Sequence, residues 1–293
     1  MAINHYNWKH GPAPIVQVIR SARHSVDLNV YYLSSRPIMA ALKAARNRGV
    51  NVRVILDARP YGMKPWQIRK EFHAVAVLGA QVHQAPARFE ARYVYDQAKY
   101  VCNGHECEIG TANFDWSAFH RNREYLYVTR NPQVVQAARA VFHADWTDQQ
   151  AGAGPHRVLV LSPGSEPAIA AVISQPGPVD IESEEMGDDR AILDAIAAKG
   201  RLARVILPAS ISVQDKRNVA WLERHGVQVR LMPKRPIYMH AKMVVGEQEA
   251  FIGSENFSES SLNRNREIGL LLNVSNIGKL QAQFDRDWAR TNG

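Results

Sequence analysis

Apolar residues follow two spacings along this chain, and each spacing predicts a different element. Short runs rich in β-branched residues, at 26–33 and 52–56, predict strands. Between them, residues 38–48 place apolar side chains three and four positions apart and end at Gly49, which predicts an amphipathic helix with a glycine cap. Helices that alternate with strands in this way predict an α/β fold.

The same order of elements occurs a second time. The second copy begins with an apolar run, continues with an Ala-rich helical stretch that ends at Gly200, and returns to a buried strand, at residues 179–183, 190–198 and 203–207. Each copy then has another predicted helix that ends at a glycine, at 66–78 before Gly79 and at 215–225 before Gly226. Two strands in a hairpin and a last helix ending near a tryptophan complete each copy.

Polar residues repeat as well. Residues 95–114 align with residues 238–257 without a gap, and Asn122-Arg123-Glu124 aligns with Asn265-Arg266-Glu267 at the same offset. We therefore predict two similar α/β halves with mixed sheets, packed about a pseudo-twofold axis so that equivalent residues face one cleft. The predicted division is a first repeat at 1–150, a linker at 151–156 and a second repeat at 157–293.

Charge and composition indicate which kinds of molecule the chain could bind and whether it could span a membrane. Lys and Arg number 36 against 28 Asp and Glu in 293 residues, and this net charge of +8 favours anionic partners such as phosphate backbones, anionic lipid surfaces or phosphorylated small molecules. The longest apolar runs are shorter than the ~20 residues of a membrane span. The first 25 residues contain no apolar signal-peptide core, so we expect a soluble chain. A removed leader, and with it a periplasmic or secreted location, stays open.

The repeated residues form a set suited to phosphoryl chemistry. His240 and Lys242 begin a β run, where a period of two turns them to one face. Ser254 and Asn256 follow the return strand, and Glu267 begins the next β run, where its carboxylate can accept a hydrogen bond from the other imidazole nitrogen and fix the tautomer of His240. A lysine and an asparagine can hold phosphate oxygens, and an imidazole can attack phosphorus or move a proton. The first copy repeats this set as Lys99, Thr111, Asn113 and Glu124.

These residues resemble the HKD motif of the phospholipase D superfamily, and the likeness spans nearly the whole chain. The resemblance implies that two motifs meet across the pseudo-twofold axis, that one histidine forms a phosphohistidine intermediate and that the other protonates the leaving group. It assigns catalysis to His240, Lys99, Lys242, Glu124 and Glu267. It assigns phosphate binding to Lys99, Lys242, Asn113, Asn256, Thr111 and Ser254. It implies no metal and no cofactor.

Gln97 stands where the resemblance predicts the other catalytic histidine. A carboxamide can neither attack phosphorus nor transfer a proton near neutral pH, so we expect strongly impaired catalysis, with His240 as the general acid. Two origins stay open, a native degenerate motif or an introduced His-to-Gln change. A second departure is the motif's aspartate, whose counted positions hold Gly104 and Glu247.

Other features leave alternatives open. Cys102 and Cys107 either form a disulfide across the first hairpin or stay free thiols. Residues 59–66, with basic and aromatic side chains, and residues 233–236, with two basic ones, are candidate rims of the cleft, or ordinary turns. The Gly-x-Ser-x-Gly and His-Glu-x-x-His patterns are absent, which disfavours a serine hydrolase or a zinc enzyme.

The predicted function is that of a phosphodiesterase or phosphatidyl transferase acting on phospholipid head groups. Such an enzyme would contact an anionic membrane surface peripherally, and the sequence implies no obligate protein partner. The alternatives are a metal-independent nuclease and a non-catalytic phosphate-binding pseudoenzyme. The nuclease reading predicts binding that weakens steeply with salt.

Overall fold

The computed structural model describes residues 2–5 and 11–291, with the side chains of 11–291. Its helices are α1 (Ala13–Ser21), α2 (Arg36–Asn47), α3 (Pro65–Ala76), α4 (Trp116–His120), α5 (Pro132–Trp146), α6 (Glu166–Ile173), α7 (Arg190–Lys199), α8 (Val213–Arg224), α9 (Glu259–Asn263) and α10 (Val274–Arg290). None of the helices in these described ranges is both long enough and apolar enough to cross a bilayer.

The strands alternate with these helices through both halves. They are β1 (Ala2–His5), β2 (Ser25–Val30), β3 (Asn51–Leu56), β4 (Gln81–Gln84), β5 (Lys99–Cys102), β6 (Cys107–Gly110), β7 (Asn122–Arg123), β8 (Tyr125–Thr129), β9 (Val160–Ser162), β10 (Val179–Ser183), β11 (Ala203–Pro208), β12 (Gln228–Met232), β13 (Tyr238–Met239), β14 (Lys242–Val245), β15 (Glu249–Gly253) and β16 (Glu267–Asn273). Short 3₁₀ turns lie at Ala87–Phe89, Pro155–Arg157 and Gly200–Leu202.

Helix α2 illustrates why the apolar spacing predicted the elements. Its buried side chains are Ile38, Ala41, Leu42 and Ala45, at steps of three, one and three, so they form one stripe against the sheet. The helix begins two residues earlier than the pattern indicated, because Pro37 is well suited to a first turn. It ends before Gly49, whose φ of +83° suits a residue without a side chain.

The two large sheets have the same topology. The first has the strand order β1-β8-β6-β5-β2-β3-β4, and the second, read from its other edge, has the order β9-β16-β15-β14-β10-β11-β12. In each sheet the three strands that precede the hairpin pair in parallel, and the hairpin strands pair antiparallel. This one-to-one match confirms the predicted fold class of two similar α/β halves with mixed sheets.

A shared core holds the two halves together. Tyr100 and Ile109 from the first sheet belong to the same buried cluster as Met243 and Ile252 from the second. The outer faces of the sheets are covered separately, by α1 and α2 in the first half and by α6 and α7 in the second. Burial of apolar side chains from both sheets in one cluster makes the interface between halves part of the core.

Polar contacts across this interface are reciprocal. Strand β7 of the first half pairs in parallel with β13 of the second, and Asp96 forms an equivalent parallel bridge with Arg266. The buried guanidinium of Arg123 contacts Asp287 at 2.6 Å, and that of Arg266 contacts Asp145 at 2.8 Å. Each half therefore supplies the arginine of one ion pair and the carboxylate of the other, as a twofold relation requires.

The structure also describes the cysteine pair and the segment between the two repeats. Cys102 and Cys107 form a disulfide across the β5–β6 hairpin, and both are fully buried. Residues 151–154 lie outside helices and strands, and the Pro155–Arg157 turn follows them. The boundaries of the linker and of the two repeats stay a prediction.

Candidate active site

One cavity of about 600 Å³ lies between the two halves and receives side chains from both. The first half contributes Gln97, Lys99 and Asn113, and the second contributes His240 and Asn256. Residues of both repeated motifs therefore line one cavity.

The two lysines are held alike. Lys99 begins β5 and Lys242 begins β14, and both side chains are buried. Each ammonium donates to the carbonyl oxygen two residues earlier, Lys99 to Gln97 at 2.6 Å and Lys242 to His240 at 2.7 Å. The repeated backbone therefore holds both ammonium groups in the same way, although only Lys99 lines the cavity itself.

The lysines differ in what surrounds them. Lys242 also donates to Glu184 at 2.7 Å. Lys99 instead lies 5.6 Å from the centre of the Tyr31 ring, within the range of a cation–π contact. Burial lowers the pKa of Lys99 to about 8, although Glu267 opposes the shift. An ammonium of this kind is available to bind an anion from the cavity.

His240 lies between two carboxylates. Its Nδ1 is 2.7 Å from Glu124 Oε1, and its Nε2 is 3.3 Å from Glu184 Oε2. Glu124 belongs to the first half, so the expectation that Glu267 orients His240 is wrong. The β7–β13 pairing explains the exchange, because it brings the strand before Glu124 alongside the strand before His240.

The two repeated glutamates are anchored behind the cavity. Glu124 accepts hydrogen bonds from Thr111 at 2.5 Å and Asn122 at 3.0 Å. Glu267 accepts from Ser261 at 2.7 Å and Asn265 at 3.0 Å. Both glutamates are fully buried, and burial raises the pKa of Glu267 while Lys99 opposes the rise.

Thr111 and Ser254 do not form part of the cavity wall. The hydroxyl group of Thr111 donates to Glu124 and accepts from the backbone N–H of Tyr125 at 2.9 Å. The hydroxyl group of Ser254 accepts from the backbone N–H of Ile268 at 2.9 Å. Their hydroxyl groups are fully buried behind the site. The geometry therefore suits them to positioning neighbouring groups, in contrast to the direct phosphate contact that the sequence suggested.

Asn113 and Asn256 do face the cavity. Within the described residues, the buried Oδ1 of each has no hydrogen-bond partner. The backbone N–H of Asn256 donates to Ser261, which also donates to Glu267. Since Ser261 connects Asn256 with the glutamate behind it, the carboxamide and the carboxylate are held in a fixed relation.

Gln97 is held through its backbone. Its N–H donates to the carbonyl of Arg266 at 2.8 Å, across the interface between halves, and its carbonyl accepts from Lys99. Arg266 in turn donates its N–H to the carbonyl of Tyr95 at 3.0 Å. Residue 97 therefore occupies the place opposite His240 whatever its side chain.

Sequence reasoning missed Tyr31, Glu184 and Glu185, which all line the cavity. Tyr31 directly follows β2 and Glu184 directly follows β10, so the two are equivalent positions of the repeat. Both lie at the carboxyl end of a strand with a parallel neighbour, where α/β sheets commonly bind ligands. That rule, applied to both copies, is the signal that would have found them.

The pKa values of Glu184 and Glu185 are shifted in opposite directions. Burial disfavours the charge of Glu184, but His240 and Lys242 outweigh burial and lower its pKa to about 2. Burial raises the pKa of Glu185 to about 7, with the charge of Glu184 adding to the rise. Glu184 is therefore the anion of the cationic cluster, whereas Glu185 is about half ionised at pH 7.

Of the two predicted rim loops, the structure brings one to the site. Tyr61, in the loop at 59–66, lines the cavity together with Tyr93, Tyr95 and Tyr238. Residues 233–236 are not among the residues that line it. In the described ranges, no group of three or more His, Cys, Asp or Glu side chains is arranged to hold a metal ion.

Comparison with known families finds a match over most of the chain. The family model described as cardiolipin synthase, PLD-like domain, matches residues 15–146 and 179–288. Phospholipase D Z of Dictyostelium discoideum is 22% identical over 93% of this chain and 83% of its own length. A cardiolipin synthase of Alkalihalophilus pseudofirmus is 30% identical, but the match covers 42% of this chain and only 24% of the synthase.

Solved structures share the fold. The phosphatidylserine synthase of Haemophilus influenzae superposes with a TM-score of 0.68 at 12% identity, over 95% of this chain and 83% of its own. The polyphosphate kinase of Porphyromonas gingivalis superposes with a TM-score of 0.69 at 13% identity, over 97% of this chain and 49% of its own. At such low identity these similarities establish the architecture alone.

Proposed function

This chain belongs to the phospholipase D superfamily, in the family of cardiolipin synthase PLD-like domains, and from that premise we propose that it acts on the phosphodiester of phospholipid head groups. The observation that supports the proposal is the cavity between the halves, which receives an asparagine from each copy together with Lys99 and His240. Lys242 lies next to this cavity, where its ammonium donates to the lining residue Glu184. Such a set can surround one phosphodiester and compensate the charge that develops on its oxygens.

We assign phosphate binding to Lys99, Lys242, Asn113 and Asn256. The two ammonium groups compensate the anionic charge, and the carboxamide N–H groups donate to the remaining phosphate oxygens. Both lysines donate to backbone carbonyls at fixed distances, so they need little reorganisation when an anion arrives.

We assign proton transfer to His240. Glu124 Oε1 lies 2.7 Å from Nδ1, which favours a proton on that nitrogen, and Nε2 faces Glu184 at the cavity. In this assignment Nε2 gives its proton to the leaving oxygen as the phosphorus–oxygen bond breaks, and the next acceptor alcohol or water returns a proton to it.

Gln97 limits this chemistry. A histidine at position 97 would attack phosphorus and carry the phosphoryl group as a phosphohistidine until water or an alcohol displaces it. The carboxamide of Gln97 has no such nucleophilic nitrogen, so water or alcohol must attack directly. We therefore expect the chain to bind phosphodiesters and to turn them over very slowly.

The test is the Gln97→His variant, assayed on vesicles of labelled phosphatidylcholine and phosphatidylglycerol and on labelled single-stranded DNA. We expect about a thousandfold gain in the rate of lipid cleavage, because the variant supplies the missing nucleophile. The gain should persist in EDTA. The matched control is Gln97→His/His240→Gln, which has one imidazole and one carboxamide in exchanged places and should stay slow.

The other outcomes separate the alternatives. Cleavage of DNA but not of lipid by Gln97→His would make the chain a nuclease. Phosphate binding without cleavage of either substrate would make it a binding module. Loss of activity in EDTA would contradict the proposed metal-free chemistry.

A further inference from the structure

Glu184 holds the position expected of a phosphate oxygen. Its Oε2 lies 2.7 Å from Lys242 Nζ and 3.3 Å from His240 Nε2. These are the two groups of the second half that the proposed function assigns to the phosphate and its leaving oxygen. One oxygen cannot share this place with another, so an anion that contacts both groups must displace Glu184.

The charge of Glu184 strengthens this competition. The cations around it keep its pKa near 2, so the group is a carboxylate across the physiological pH range. A carboxylate and a phosphodiester each carry one negative charge and accept hydrogen bonds at similar distances. Lys242 therefore meets an internal anion where it would otherwise meet the substrate.

The first half lacks this internal anion. Tyr31 occupies the position equivalent to Glu184, and Lys99 faces the Tyr31 ring in place of a carboxylate. The place beside Lys99 is therefore open to an anion from the cavity, whereas the place beside Lys242 is filled. The asymmetry arises at one repeat position, just after the first parallel strand of each half.

Glu184 has room to leave. Its side chain is 27% exposed, whereas those of Lys242 and His240 are 1% and 12% exposed. A rotation of the carboxylate toward solvent would leave the buried groups in place. It would also leave His240 Nε2 facing the cavity, while Glu124 still holds Nδ1.

We propose that Glu184 is a tethered anion that occupies half of the phosphate site and must move out before an anionic substrate binds. The inference rests on the proposed phosphate site but not on turnover. It makes Glu184 a residue that sets the affinity for anions, since a substrate must compete with a carboxylate that is always present at the site.

Inorganic phosphate is the probe, titrated calorimetrically into the full chain at fixed pH and ionic strength. Glu184→Gln keeps the shape of the side chain and removes its charge, so we expect the dissociation constant for phosphate to fall at least tenfold. Glu184→Tyr, which introduces the residue of the first half, should give a gain of the same direction and provides a second variant if the first folds poorly.

Glu185→Gln is the matched control, because Glu185 is the neighbouring carboxyl in the same cavity. We expect less than a threefold change for it. An equal gain in both variants would mean that overall charge, and not displacement, controls binding, and would overturn the proposal. An unchanged or weaker affinity in Glu184→Gln and Glu184→Tyr would also overturn it.

A second readout follows His240 directly. In ¹⁵N-detected spectra, phosphate should shift the Nε2 resonance of the wild-type chain only at concentrations that displace Glu184, and at tenfold lower concentrations in Glu184→Gln. Failure of the two proposals is distinguishable. If Glu184→Gln gains phosphate affinity but Gln97→His does not cleave lipid, only the proposed function is contradicted. If Gln97→His cleaves lipid but Glu184→Gln gains no phosphate affinity, only the proposal for Glu184 is contradicted.

Discussion

The two halves of this molecule share a backbone and differ in the chemistry placed on it. In both, a lysine begins the first hairpin strand and donates to the carbonyl two residues before it. Around that common frame, the first half places Gln97 and Tyr31 where the second places His240 and Glu184. The backbone therefore fixes where a site residue lies, while the side chain at that position determines which chemical group the cavity receives.

The largest effect should come from breaking the contacts that make the halves reciprocal. Asp287→Asn removes the carboxylate that faces the buried Arg123, and Asp145→Asn removes the one that faces Arg266. We expect each variant to lose about 3–5 kcal/mol of unfolding free energy, because removal of one partner of a buried ion pair is strongly disfavoured. Urea unfolding followed by circular dichroism measures the loss.

Asp194→Asn is the control, since Asp194 pairs with Arg190 at the exposed surface. It should change stability by less than about 1 kcal/mol. A small loss in Asp287→Asn and a large one in Asp145→Asn would show that the two ion pairs are equivalent in geometry only.

A smaller effect should distinguish the two lysines. Because burial lowers the pKa of Lys99 to about 8, the free protein loses this positive charge as the pH rises above 8. We expect affinity for glycerophosphocholine, a diester with no proton to lose in this range, to be constant below pH 8 and to fall above it, by up to about tenfold per pH unit.

Calorimetric titration between pH 6.5 and 9.5 measures this dependence. Lys99→Met has no ammonium at this position, so it should bind weakly at every pH, without the fall above pH 8. If the wild-type affinity is flat to pH 9.5, Lys99 does not contact the anion as assigned.

The smallest effect concerns a buried carboxyl that only the first half contains. Glu108 is fully buried, and within the described residues neither of its carboxyl oxygens has a hydrogen-bond partner. Phe251 fills the equivalent place in the second half. Burial raises the pKa of Glu108, which favours the uncharged form of a carboxyl whose polar atoms are unsatisfied.

Glu108→Met should therefore raise the free energy of unfolding by about 1 kcal/mol, since it removes unsatisfied polar atoms at nearly constant volume. Urea unfolding at pH 7 provides the measurement, with the exposed Glu223→Met as a control that stays within about 0.5 kcal/mol. Destabilisation by Glu108→Met would point to a polar role for this carboxyl.

Much of the fold could be predicted from the sequence, because the periodicities of α2 and of β2, β3 and their copies are strong. The internal repeat then fixes the architecture, since two equal units that each bury one sheet face must share a core. The alignment also identifies Gln97, Lys99, Asn113, His240 and Asn256, which face one cavity.

Two contacts of the site could not be predicted from the alignment of the two copies. An alignment of copies matches Glu124 with Glu267, but it does not tell which copy a side chain contacts, so the Glu124–His240 pair was assigned to the wrong half. Glu184 lies outside the repeated motif and 58 residues from Lys242, and its partner follows from tertiary packing alone. The roles assigned to the site residues stay predictions until the variants are measured.

The way residue 97 is attached has a consequence for how such duplicated proteins change over time. Its described hydrogen bonds run through the peptide groups, so a mutation there alters reactivity with little influence on folding. In a duplicated protein, selection for folding can therefore act on the backbone and core that both halves share, while selection for reactivity acts on a few side chains in the cavity. Exchange of this one side chain, as in Gln97→His, would then change the chemical groups that the cavity receives while the framework around it stays the same.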